Sequence, residues 1–86
     1  MKVHLDLESP VPQYEQIRTQ IAGEVAAGGL KEGDRLPTVR TLAADLGIAP
    51  GTVARAYREL EAAHLASTRR RHGTVITATD RHQTPE

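Results

Sequence analysis

Two short apolar stripes stand almost end to end in the middle of this chain, and the few residues between them leave it few folds. Val39, Leu42, Ala43 and Leu46 recur at helical spacing, and so do Val53, Ala56, Tyr57 and Leu60. Between them lie Gly47, a residue type that ends helices in the left-handed conformation, and Pro50, which is preset for a first helical turn. Thr38, just ahead of the first stripe, offers a hydroxyl to the free N–H groups there. The spacing predicts helices over 39–46 and 50–63. Helices this short, joined through a tight turn containing glycine, cross steeply instead of lying antiparallel. That arrangement is a helix-turn-helix.

Upstream, Tyr14, Ile17, Ile21 and Val25 form a longer stripe closed by Gly28 and Gly29, which predicts a helix over 12–27 with Pro12 at its first position. Val3, Leu5 and Leu7 alternate with polar residues, so 1–11 reads as an N-terminal extended segment. Downstream, 65–68 and 74–77 are candidate strands around Arg69, Arg70, Arg71, His72 and Gly73, with Gly73 able to take the positive φ of a tight hairpin. A basic-tipped ribbon directly after a helix-turn-helix is a wing. Residues 78–86 carry no stripe and read as a flexible polar tail. The expected fold is mainly α with a small β wing: a winged helix-turn-helix over 12–77, three helices plus a two- or three-stranded sheet.

At 86 residues the chain is one domain, and its zero net charge hides an asymmetry. Residues 1–34 hold three basic and six acidic side chains, whereas 35–73 hold seven basic, all Arg, and three acidic. A positive half points to a polyanion, and the planar guanidinium fork suits phosphates and guanine edges. On a helical wheel at about 100° per residue, with Val53 at 0°, Arg55 and Arg58 fall at about 200° and 140°, opposite the core stripe. Gly51 shares that face and would let a backbone approach closely, while Thr52 flanks it in the first turn, where a recognition helix touches base edges. Exposed arginines are commonly no more than solvated charges. Here two of them lie on one face, beside a basic wing tip.

Other chemistries lack residues. The chain has no Cys, which removes disulfides, thiolate zinc ligands and a cysteine nucleophile. His4, His64, His72 and His82 are scattered without metal-ligand spacing, and no carboxylate partners a nucleophile, so neither an enzyme nor a cofactor is expected. No apolar run approaches the roughly 18–20 residues of a membrane span, and the N-terminus lacks a signal-peptide stretch. The expected location is the cytoplasm, with no membrane partner.

Several stretches together resemble one known family. They are Pro12-Gln-Tyr-Glu-Gln-Ile17, Leu30-Lys-Glu-Gly33-Asp-Arg-Leu-Pro37-Thr-Val-Arg40-Thr-Leu-Ala43, Leu46-Gly47-Ile48, Thr52-Val53-Ala-Arg-Ala-Tyr57-Arg-Glu-Leu60-Glu, and His72-Gly73-Thr74-Val75. They resemble the DNA-binding domain of the GntR family of bacterial transcriptional regulators, over about residues 10–77 and in order. The Pro-x-Tyr-x-x-Ile opening and the Ala-Tyr-x-x-Leu-Glu of the third helix look most like its YtrA-type subgroup. The resemblance implies that Arg40 and Thr52 contact DNA and that His72 and Gly73 form the wing tip entering the minor groove. With Arg35, Thr38, Pro50, Gly51, Arg55, Arg58, Arg69, Arg70 and Arg71 they make up the expected DNA-binding set. Two departures stand out. Ala49-Pro50-Gly51-Thr52 replaces the family's Ser-Arg-x-Thr, which removes a capping hydroxyl and an arginine and leaves base reading to Arg55. His64 stands where the family has Gly, so either its φ is strained or the turn differs.

The implied function is sequence-specific binding of double-stranded DNA by a transcriptional regulator, a repressor, with helix 50–63 in the major groove. A winged helix can also serve as a protein-interaction module without DNA binding. Full regulators of the family carry a C-terminal part for effector binding or dimerisation, whereas about nine polar residues follow the wing here. Either this is an excised domain or the chain pairs by another surface, the segment with Val3, Leu5 and Leu7 or the face of the first helix, as a homodimer on a palindromic operator.

Overall fold

Every helix in the computed structural model, which describes residues 3–69 and 73–77, starts and stops on a recognisable local signal. Helix α1 (Gln13–Ala27) begins one residue later than expected, because Pro12 (φ −57°, ψ 150°) is not yet helical. Its carbonyl instead accepts from Glu15 and Gln16 N–H, both at 3.1 Å. Pro12 is therefore the cap and not the first helical residue. Helix α2 (Val39–Leu46) keeps the expected bounds, with Thr38 Oγ1 accepting from the Thr41 N–H at 3.0 Å. Helix α3 (Pro50–Ala62) starts on the proline as expected and ends one residue early, since Ala63 already caps it.

The two strands, β1 (Ala66–Arg69) and β2 (Gly73–Ile76), pair antiparallel, each offset by one residue from the expected span. Residues 33–36 run alongside β2: Leu36 N–H donates to Thr74 O, Ile76 N–H to Asp34 O and Gly33 N–H to Ile76 O, at 2.7–2.8 Å. Arg35 bridges Val75, so the hairpin has a third, very short partner along β2.

Ile17, Ile21, Val53, Leu60 and Ile76 are fully buried, and α1 and α2 both pack on α3 around them. Tyr57, also buried, donates its hydroxyl to Pro37 O at 2.7 Å and so ties α3 to the entry of α2. Burial pushes its phenol well above the ordinary range, which keeps it a donor.

The N-terminal segment is fastened to α1 by two glutamines one turn apart. Gln20 exchanges hydrogen bonds with the backbone of His4, and Gln16 does the same with Asp6 while also donating to Val11 O. Each side-chain amide thus imitates a strand neighbour. Val3 and Leu5 pack against the core as a result, and of the three residues expected to form a contact surface only Leu7 stands free, 77% exposed.

Candidate nucleic-acid interface

The inward face of α3 consists of Val53, Ala56, Tyr57 and Leu60, all buried, so its opposite face is left to solvent. Pro50, Gly51, Arg55 and Arg58 are exposed and Thr52 is half-buried. A Cβ placed on Gly51 would meet nothing within 4 Å, so the first turn of α3 presents bare backbone to whatever approaches. Arg40, the second residue of α2, is exposed as well. Thr38 is exposed too, but its hydroxyl is engaged within the protein. It caps α2 and also donates to Thr41 Oγ1 at 2.9 Å, which anchors the turn carrying Arg40.

Arg55 does not project freely into solvent. Its guanidinium lies 3.8 Å from the ring centroid of Tyr14 on α1, and Nη2 donates to the Tyr14 hydroxyl at 3.2 Å. Stacking of this kind contributes roughly 0.5–1 kcal/mol at exposed sites. Tyr14 is half-buried and packs at the edge of the core. A stripe position alone marks it only as a core residue. No local signal announces a partner 41 residues away.

A turn further along α1, Arg18 is held by Glu15, with Nε donating to Oε1 at 3.2 Å. The hydrogen bond from Arg18 holds the Glu15 carboxyl below the usual carboxylate range and raises the guanidinium in turn. Both side chains lie at the surface of α1 and keep about a third of their area exposed, 32% and 34%, so this i, i+3 contact has little weight for stability.

At the wing, Arg69 pairs with Gly73, both exposed, and Gly73 takes φ 72° as the hairpin requires. Thr68 bonds Glu61 on α3 and lies 3.2 Å from the Thr74 hydroxyl, which ties the hairpin base to α3. The structure brings Arg35 and Arg69 to one cleft of about 320 Å³, lined also by Val75 and Glu32. Arg70, Arg71 and His72 lie outside the described residues, as does the expected tail over 78–86. Among the described residues no group of three or more His, Asp or Glu side chains could hold a metal ion, and no helix is long and apolar enough to cross a membrane.

Comparison with known proteins places this geometry among its relatives. The model of the gntR family, described as bacterial regulatory proteins, matches residues 13–76. The HTH-type transcriptional regulator Rv1152 of Mycobacterium tuberculosis is 51% identical over 78 residues, covering 91% of this chain and 64% of its own length. The HTH-type transcriptional repressor YtrA of Bacillus subtilis is 41% identical over 75 residues, covering 87% of this chain and 58% of its own. The chain thus spans about three fifths of these curated relatives. Among solved structures, YtrA from Sulfolobus acidocaldarius, a GntR-family transcription factor, superposes with a TM-score of 0.82 at 38% identity, covering 88% of this chain and 80% of that one.

Proposed function

Because the chain belongs to the gntR family of bacterial regulatory proteins, in its YtrA-like subgroup, we propose that it binds duplex DNA sequence-specifically as a transcriptional regulator, and as a repressor. The observation that carries this reading is the division of α3: one face fills the core, while the other leaves Gly51, Thr52, Arg55 and Arg58 at the surface under a family match that runs through them. In this reading the first turn of α3 (Pro50, Gly51, Thr52) enters the major groove, Arg40 approaches from α2, and the wing from Arg69 through Arg70, Arg71 and His72 to Gly73 reaches the minor groove. Arg35, beside the wing, and Arg58, on the outer face of α3, supply further positive charge. The DNA-binding unit is 12–77, acting in the cytoplasm as a binding module and not as an enzyme. A single unit offers few base contacts, so two copies pair on a palindromic operator.

The test is capture of genomic fragments by the full chain, followed by sequencing and anisotropy titration on the fragment most enriched. Arg40→Ala is expected to weaken that binding by about 1–3 kcal/mol while changing stability by less than about 0.5 kcal/mol. Absence of any enriched fragment, with no salt-dependent affinity for duplex DNA, would discard this function in favour of a protein-interaction module.

A further inference from the structure

We propose that Tyr14 is a positioning residue for DNA binding, holding Arg55 in a preset orientation in which its free N–H groups grip a phosphate and not a base edge. The inference rests on the DNA-binding reading above and assigns a part of it to α1. Three observations carry it. The guanidinium carbon lies over the Tyr14 ring, 3.8 Å from its centroid, and the same ring's hydroxyl accepts from Nη2 at 3.2 Å, so two contacts to one ring hold the head group in place. Arg55 itself is exposed, and among the described residues Tyr14 is its one recorded hydrogen-bond partner. Arg18, which shares that side of α1, is engaged by Glu15 and does not compete for the ring.

Contact with the ring covers one side of the guanidinium and leaves the donors that point away from it open to solvent. Arginine has five N–H groups, and one is spent on Tyr14. A free arginine must lose considerable side-chain entropy to make a two-pronged contact, and one already held against a ring loses less. Position selects phosphate over base. Recognition helices read base edges from their first turn, whereas Arg55 is the sixth residue of α3 and is drawn sideways onto α1. A side chain leaning off the flank of a helix in the major groove meets the wall of the groove, which is backbone, and the planar fork suits two phosphate oxygens.

The experiment is anisotropy titration of the full chain against a mixed-sequence 30-base-pair duplex between about 50 and 200 mM salt, for wild type, Tyr14→Phe, Tyr14→Leu, Arg55→Ala and the double variant Tyr14→Leu/Arg55→Ala. Arg55→Ala should lower the log–log salt slope by about 0.9, the signature of one lost phosphate. Tyr14→Leu should lose about 2- to 5-fold in affinity, and Tyr14→Phe, which keeps the stack, clearly less. The double variant should bind no more weakly than Arg55→Ala alone. Ring-current shifts of the Arg55 side chain, read by NMR without DNA, should survive in Tyr14→Phe and vanish in Tyr14→Leu. That measurement also shows whether each variant is folded. Should Tyr14→Leu fail to fold, Arg55→Lys provides the same test, because a lysine retains the charge without the stacked fork and should lose affinity while keeping the wild-type slope. An unchanged slope in Arg55→Ala, or additive losses in the double variant, overturns the proposal while leaving DNA binding in place. A wild-type chain with no salt-dependent affinity overturns the underlying function as well.

Discussion

Helices α2 and α3 are adjacent, packed together and joined by one turn, yet they begin and end on opposite chemistry. At their ends the backbone draws the same figure twice. Gly47 follows α2 at φ 71° and His64 follows α3 at φ 64°. Gly47 N–H reaches back to Ala44 O and Ile48 N–H to Ala43 O, and likewise His64 N–H reaches Glu61 O and Leu65 N–H reaches Leu60 O, at 2.9–3.3 Å. At their starts the figure is again shared and the means differ. Thr38 caps α2 with its side chain, while Ala49 has none to give and α3 relies on Pro50. The fold dictates the backbone path at each helix end, and the residue placed there determines only what that path costs. Left-handed geometry is nearly free for glycine and costs other L-residues roughly 1–2 kcal/mol. Helix α2 is built economically at both ends, and α3 at neither.

The largest effect should come from making α2 end as α3 does. Gly47→Val puts a β-branched residue at φ 71°, and a Cβ there meets nothing within 4 Å, so its cost is conformational and free of clash. We expect a loss of about 2 kcal/mol in urea unfolding, with the m-value unchanged. A loss below about 0.5 kcal/mol would mean that the turn relaxes out of the left-handed region and that the two ends are not equivalent.

A smaller loss follows from making α2 start as α3 does. Thr38→Ala removes the acceptor for Thr41 N–H and should cost about 1 kcal/mol. It should also weaken DNA binding modestly through Arg40, since that hydroxyl anchors the turn from which Arg40 projects. A variant as stable as wild type would show that a water replaces the cap at no loss, and the contrast at the starts would then mean little.

The same contrast explains what could be read from the sequence. The bounds of α2 and the start of α3 follow from Thr38, Gly47 and Pro50, three residues whose local chemistry acts within a turn of the backbone they govern. The buried face of α3 follows from periodicity alone. The strands lie one residue nearer the hairpin tip than expected, and the short partner that residues 33–36 give β2 is announced by no pattern around 65–77. Val3 and Leu5 look like a contact surface by alternation, and only the clamps from Gln16 and Gln20 reveal them as part of the core's edge. The outward face of α3 was legible as charge on a wheel, but the seat of Arg55 on Tyr14 was not. Helical periodicity says which way a side chain leaves its helix and says nothing about which distant residue will receive it.

The smallest effect is a gain, obtained by letting α3 end as α2 does. His64→Gly relieves the left-handed strain, worth roughly 1–2 kcal/mol, while the glycine's added freedom in the unfolded chain returns roughly 0.5–1 kcal/mol of that. The imidazole is exposed, and the backbone carbonyl that accepts from Thr77 Oγ1 at 3.3 Å is kept, so no packing or hydrogen bond offsets the balance. The expected outcome is a stabilisation of about 0.5–1 kcal/mol, a rise in Tm of a few degrees for a domain of this size. His64→Ala separates the two causes. Alanine bears nearly the same left-handed cost as histidine and lacks only the ring, so it should leave Tm almost unchanged. If alanine stabilised as much as glycine, the penalty would belong to the imidazole and not to φ, and the two helix ends would differ by their side chains and not by their backbone cost.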